Sequence, residues 1–176
     1  MLKDKNVIRA KGEIRDRAYV DEELVEDTGF RENVIVSDVN KLISALFSEQ
    51  EGETFRGLSY WAVGEGDAGW NISAPPSASS VDSDLVNEIG RIAIDSSNFE
   101  YLDADNNVVS EITNKLQLTA VFDTGDCNGA WLEMGIYGGD ADLTLDSGIL
   151  VNHLTHPIIE KRDNMTVERT LRFTFE

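Results

Sequence analysis

Lys115-Leu-Gln-Leu-Thr-Ala-Val-Phe122, then Asp123-Thr-Gly-Asp-Cys-Asn-Gly-Ala130, then Trp131-Leu-Glu-Met-Gly-Ile-Tyr137, is the stretch that decides the fold. In its first limb Leu116, Leu118, Ala120 and Phe122 alternate with Gln117, Thr119, Val121 and Asp123. Successive side chains of a strand point to opposite faces, so this alternation makes one apolar stripe. In the second limb Leu132, Met134 and Ile136 fall on one face, with Trp131, Glu133, Gly135 and Tyr137 on the other. Between them lies a Gly/Asp/Asn segment of turn-forming residues. The expectation is two antiparallel strands joined by a loop, to which the rest of the chain adds further strands.

The C-terminal run repeats the pattern. Met165, Val167, Arg169, Leu171, Phe173 and Phe175 share one face, and Arg169, the only charge among them, must reach the sheet margin or meet an acid. Leu58–Gly66 and Ile92–Ile94 read as further strands, and Gly148–Thr155 as another, followed by a connector from Pro157 to Asn164. One helix interrupts the strands. Val39, Leu42, Ile43, Leu46 and Phe47 recur at helical spacing, with Ser37 or Asp38 as the expected N-cap, and the polar Glu49–Thr54 segment ends it. The predicted architecture is therefore mainly β: an antiparallel β-sandwich with one principal α-helix, about residues 38–49, and long loops. The longest loop, Gly69–Asp84, carries Pro75-Pro76 and several serines. Residues 1–32, rich in charge, are set apart as an arm or edge hairpin, and residues 33–176 form the sandwich domain. Within the arm Val7, Arg9, Lys11 and Glu13 would share one strand face, and Ile8, Ala10, Gly12 and Ile14 the other.

At 176 residues the chain has room for a real core, and 41% hydrophobic content suits a globular protein. Fifteen Lys and Arg against 33 Asp and Glu leave a formal net charge of -18. Binding to a phosphate backbone rests on positive charge, so nucleic acid is not an expected partner. The acidity would also suit a high-salt host, where ions screen self-repulsion. No apolar run approaches a membrane span, so membrane insertion is not expected either.

Candidate chemistry is sparse, and no catalytic, cofactor-binding or metal-binding residue is assigned. Gly64-Glu-Gly66 is too short for a dinucleotide fingerprint. Asp103-Ala-Asp-Asn-Asn107 opens like a calcium loop, but Val108 stands where glycine is needed, so a hairpin turn is expected. His153 and His156 lie an odd number of residues apart, on opposite faces of a strand, and would not chelate one ion together. Cys127 is alone and reads as a small buried hydrophobe. Glu88 and Arg91 could pair with each other or with partners across the sheet, and the plainest reading is a surface ion pair. The candidate contacts with a ligand or partner are Trp70 in the long loop and the basic pair Lys161-Arg162.

The order of motifs carries a resemblance. Asn33-Val-Ile-Val precedes the helix. Tyr60-Trp-Ala-Val-Gly-Glu-Gly, Leu85-Val-Asn-Glu-Ile-Gly-Arg and Ala130-Trp-Leu-Glu-Met-Gly-Ile-Tyr follow, and Met165-Thr-Val-Glu-Arg-Thr-Leu-Arg-Phe-Thr-Phe closes the chain. This succession, over roughly residues 30 to 176, resembles tailed-phage virion proteins related to tail-fibre and tail-collar N-terminal domains. The resemblance implies a non-enzymatic structural component made in the host cytoplasm and located in the virion. It would bind copies of itself and other virion structural proteins at the tail, baseplate, neck or fibre attachment of a tailed phage or related archaeal virus. The chain stops where fibre members continue into a shaft, which favours a compact adaptor or sleeve. The alternative expectation is a carbohydrate-binding sandwich for host-surface recognition, with Trp61, Trp70, Trp131, Tyr60 and Tyr137 as a platform for a glycan.

Overall fold

The computed structural model describes residues 9–48 and 56–176. The Val7 and Ile8 positions of the expected first strand, and the Glu49–Thr54 helix stop, lie outside those residues. Eleven strands follow in chain order: β1 (Ala10–Val20), β2 (Glu23–Asp27), β3 (Arg31–Ile35), β4 (Arg56–Gly64), β5 (Glu88–Ala93), β6 (Phe99–Leu102), β7 (Val108–Val109), β8 (Lys115–Phe122), β9 (Gly129–Gly139), β10 (Ile149–Lys161) and β11 (Met165–Phe175). The helix α1 (Val39–Phe47) stands between β3 and β4. The strands pair antiparallel in the order β5-β4-β9-β10-β3-β1-β11-β8-β6-β7, with β2 added to β1. β3 touches β10 on one side and β1 on the other, so it joins two layers, β5-β4-β9-β10 and β1-β11-β8-β6-β7. The fold is the mainly-β, sandwich-like architecture expected, with a single α-helix among the described residues.

The inner faces of the two layers share one core. Ile14, Leu118, Phe122, Val167 and Leu171 come from one layer, and Trp61, Val63, Met134, Ile136 and Val151 from the other. Phe122 sits edge-on to both Trp61 and Trp131, at ring separations of 6.5 and 4.9 Å. The alternating stripes of β8 and β11 behave as their periodicity demands, with Leu118, Ala120, Phe122, Val167, Leu171 and Phe173 buried. Trp131 does not. It was expected beside Glu133 and Tyr137, but it packs in the inner core against Phe122. The β9–β10 register is irregular between Thr155 and Ile159, opposite Glu133 and Trp131, and strict alternation is lost there. Pro157 lies within this irregularity, where a ladder N–H is not required. β10 therefore runs on to Lys161 instead of ending at Thr155 in a connector.

Residues 1–32, expected as an arm or edge hairpin, are woven into the sheet in their described part. β1 pairs with β11 along its whole length, from Ala10 opposite Phe175 to Val20 opposite Met165, and Ile14 and Ala18 enter the common core. Only β2 keeps the character of an edge, since all five of its residues are exposed. The helix is more loosely seated than its pattern implies. Leu42 is buried, but Phe47 is 81% exposed. Asp38 stands at the N-cap, one of the two positions expected, but its side chain accepts no helix N–H: the carboxylate takes Lys41 Nζ at 2.8 Å, and the Ser37 hydroxyl donates to Ser80 O at 2.8 Å.

Candidate functional site

A sheet with one face in a sandwich core usually turns polar residues to solvent on the other. Here the outer face of the β4-β9-β10 layer is covered. Tyr137, Leu150, Leu85, Ala62, Val36 and Ala141 form a second apolar cluster outside it. The covering chain is mainly the segment from Glu65 to Asn87, with help from residues 140–148. A loop this long without strand or helix must satisfy its backbone by other means, and two buried charge clusters do so.

The first centres on Glu133, whose side chain is fully buried on β9. Its Oε1 accepts from the N–H groups of Gly66 (3.1 Å) and Asn87 (2.9 Å), and its Oε2 from Val86 N–H at 3.0 Å. Gly64 gives the carboxylate room: a Cβ there would lie 2.6 Å from Oε1. His153, on the neighbouring β10, places Nε2 3.1 Å from Glu133 Oε2 and Nδ1 2.7 Å from Asp82 Oδ2. Burial raises the Glu133 carboxyl, but the hydrogen bonds from His153 and the two loop amides outweigh it and hold the group below its usual range. Burial likewise disfavours the imidazolium, and its bonds to Glu133 and Asp82 outweigh that, so His153 is raised. The imidazole thus bridges a buried acid to a loop acid, in surroundings that favour its protonated form.

The second cluster is Glu88 with Arg91. The pair was expected at the surface, yet the two side chains are 0% and 1% exposed, joined by two bonds of 2.6 Å. The loop after β9 folds over them, supplying the carbonyls of Asp142 and Ser147 to Arg91 and the Asp146 N–H to Glu88. The guanidinium also faces the Tyr137 ring at 4.7 Å. The Tyr137 hydroxyl accepts from Leu85 N–H, and burial raises its pKa.

His156 points the other way, to the inner side. Its Nε2 accepts from Arg169 at 2.9 Å and its Nδ1 faces Pro157 O at 2.8 Å. Burial, and then the Arg169 charge, drive its pKa down to about 3. Arg169 finds the acid its position required. Its Nε lies 2.8 Å from Asp16 Oδ1, too bent for a hydrogen bond, and its guanidinium covers the Trp131 ring at 5.0 Å. The two histidines thus face opposite sides, as their spacing predicts. Among the described residues no group of three or more His, Cys, Asp and Glu is placed to hold a metal ion.

The sequence-selected contacts divide. Lys161 is buried, its ammonium bound to Asp123 O at 2.8 Å and Asn128 Oδ1 at 2.9 Å, where it ties down the β8–β9 loop. It is therefore corrected from a candidate contact to an internal brace. Arg162 is exposed and Trp70 half-buried. The aromatic platform does not exist as a unit, because Trp61, Trp131 and Tyr137 are all fully buried. Asp103 bonds its own turn, accepting from Asp105 and Asn107 N–H groups, as a hairpin does. The Cys127 thiol is raised to about 11, first by burial, so it is protonated at neutral pH. Sequence reading missed Glu133, Asp82 and the role of His153. The one signal available was an acid in the middle of an otherwise apolar run, Trp131-Leu-Glu-Met-Gly-Ile.

No family model matches the chain, and no curated protein matches it significantly.

Proposed function

We propose that this protein is a structural subunit of a viral particle, assembling with copies of itself and with other virion proteins at the tail, baseplate, neck or fibre attachment of a tailed phage or related archaeal virus. The resemblance of its motif order to tail-fibre and tail-collar domains supplies the virion setting. One structural observation supports the non-catalytic part of the reading. Among the described residues the buried ionisable groups Asp16, Glu88, Arg91, Glu133, His153, His156, Lys161 and Arg169 all bond within the protein, and most hold strands or loops in place. A reaction centre needs such groups turned toward a substrate. The resembling motifs also fall on the scaffold: Asn33–Val36 includes the linking end of β3, and the Trp61, Trp131 and Leu171 runs lie in β4, β9 and β11. The exposed β2, with Leu24 and Val25 more than half accessible, is a strand edge of the kind that finds partners.

The test has two parts: light scattering at high protein concentration, and imaging of purified particles with a label on this chain. Oligomers in solution together with a labelled position on the particle are expected. A strict monomer absent from particle fractions would overturn the reading.

A further inference from the structure

A cleft of about 400 Å³ opens between the covering loop and β10, within the size range of small-molecule sites. Trp70, Pro76, Val81 and Val86 give it an apolar wall, and Asp82 and Asp84 an acidic one. Val81 is 80% exposed at its rim.

The cleft is preformed. Thr155 Oγ1 donates to Pro76 O at 2.6 Å, and Ile158 N–H to Ile72 O at 2.8 Å. Ser37 N–H donates to Ser80 O at 2.7 Å, His153 holds Asp82, and Glu133 holds Val86 and Asn87. Trp70 is fixed by close approach: Gly66 has φ +63°, and a Cβ on it would lie 2.3 Å from the indole ring. A wall so held loses little freedom when a ligand arrives.

The hydrogen-bonding capacity left over is selective. Both nitrogens of His153 and the hydroxyl of Thr155 are engaged in the floor. Asp82 Oδ2 takes His153 and Ser79 N–H, and Asp84 Oδ2 takes the Ser83 hydroxyl. That leaves Oδ1 of each aspartate, which only accepts when ionised, and the Ser77 hydroxyl, which can donate or accept. A ligand rich in donors with an apolar face matches this lining best, and the carboxylates repel anions. A pyranose combines a C–H face with a fan of hydroxyl donors, and the apolar wall offers more surface than a bare ammonium group would use.

We propose that this cleft binds a neutral saccharide, one ring stacked on Trp70 and its hydroxyls donating to Asp82 and Asp84. This goes beyond the structural-subunit reading and stands without it, since it uses only the cleft's own geometry.

The experiment titrates the full chain with neutral oligosaccharides of glucose, mannose, galactose and N-acetylglucosamine, by calorimetry and by tryptophan fluorescence. Trp61 and Trp131 are fully buried, so a ligand-induced change in emission reports on Trp70. Saturable binding to at least one series is expected, with affinity at least tenfold weaker in Trp70→Ala, partly kept in Trp70→Phe, and severalfold weaker in Asp84→Ala. Near-UV circular dichroism checks that each variant is folded. Absence of saturable binding across the panel at millimolar concentration overturns the proposal. Equal affinity in a folded Trp70→Ala overturns it too, as does binding of simple diamines without any sugar.

Discussion

The two faces of the β9-β10 layer each bury a histidine and an acid, but with opposite electrostatic outcomes. Inside, His156 meets the guanidinium of Arg169 and is held neutral, with a pKa near 3. Outside, three residues earlier on the same strand, His153 lies between two carboxylates, which raise its pKa. The residue type and the strand are the same; only the parity of position differs, and parity decides which charges each ring meets. The inner cluster ties β1 to β11 through Asp16 and Arg169, two strands of the core layer. The outer cluster ties β9 and β10 to a loop. The first belongs to the sandwich as a whole, and the second to its cover.

If that division is right, damage to the inner cluster should unfold the whole protein. Arg169→Ala removes one of the two guanidinium groups beside Asp16, leaving Arg31 Nη2 at 2.7 Å from Oδ2; it also deletes the cover of Trp131 and leaves the His156 Nε2 without its donor. Breaking a buried pair from one side costs about 3–5 kcal/mol. The unfolding free energy should fall toward the low end of that range, because Arg31 still faces Asp16, in one transition followed equally by tryptophan fluorescence and far-UV circular dichroism. A loss confined to the 65–87 loop would show that the inner cluster is local after all.

Glu133→Gln is the matching lesion outside, with a smaller expected effect. The amide keeps one oxygen for Gly66 and Asn87, but its NH₂ group then faces the Val86 N–H, donor against donor. A buried hydrogen-bonding group left unmatched costs about 1–3 kcal/mol. The loss should appear first as faster amide exchange at Gly66, Val86 and Asn87 and as proteolysis within residues 65–87, while β1, β8 and β11 stay protected. Uniform loss of protection across both layers would erase the distinction between frame and cover.

The same division separates what could be read in the chain from what could not. The alternation in β8 and β11 and the helical spacing of α1 are local periodicities, visible without any partner. The opposed directions of His153 and His156 followed from counting. The inner position of Trp131 and the run of β10 through Pro157 escape a local pattern because a register irregularity depends on the facing strand. Lys161 reads as a partner contact because basic residues are mostly exposed, and nothing local reveals that Asp123 O and Asn128 Oδ1 lie within reach. The site suffered most. Glu133 meets Asn87 from 46 residues away and His153 meets Asp82 from 71. Such pairings follow from the path of a long irregular loop, which no periodicity encodes.

The smallest expected effect is the most discriminating, because the chain has only two histidines and both can be followed at once by the nitrogen shifts of their rings. His153 has a folded pKa above its ordinary 6.5. Its contribution to stability is therefore fully present below about pH 6.5 and is lost as the pH rises through the folded value, where the folded state gives up a proton that the unfolded state has already released. His156, driven down to about 3, has the opposite sign: between about pH 3 and 6.5 the unfolded chain binds a proton that the folded chain refuses, so stability falls with acid. Burial opposes the His153 shift and hydrogen bonds only outweigh it, so its alkaline loss should be modest and confined to the cover. Exchange at Val86 and Asn87, corrected for the intrinsic pH dependence of amide exchange, should quicken above the His153 midpoint. His153→Gln should remove that pH dependence and leave the acid-side slope untouched. Both rings titrating together near 6.5 would mean that neither face imposes its charge on strand β10.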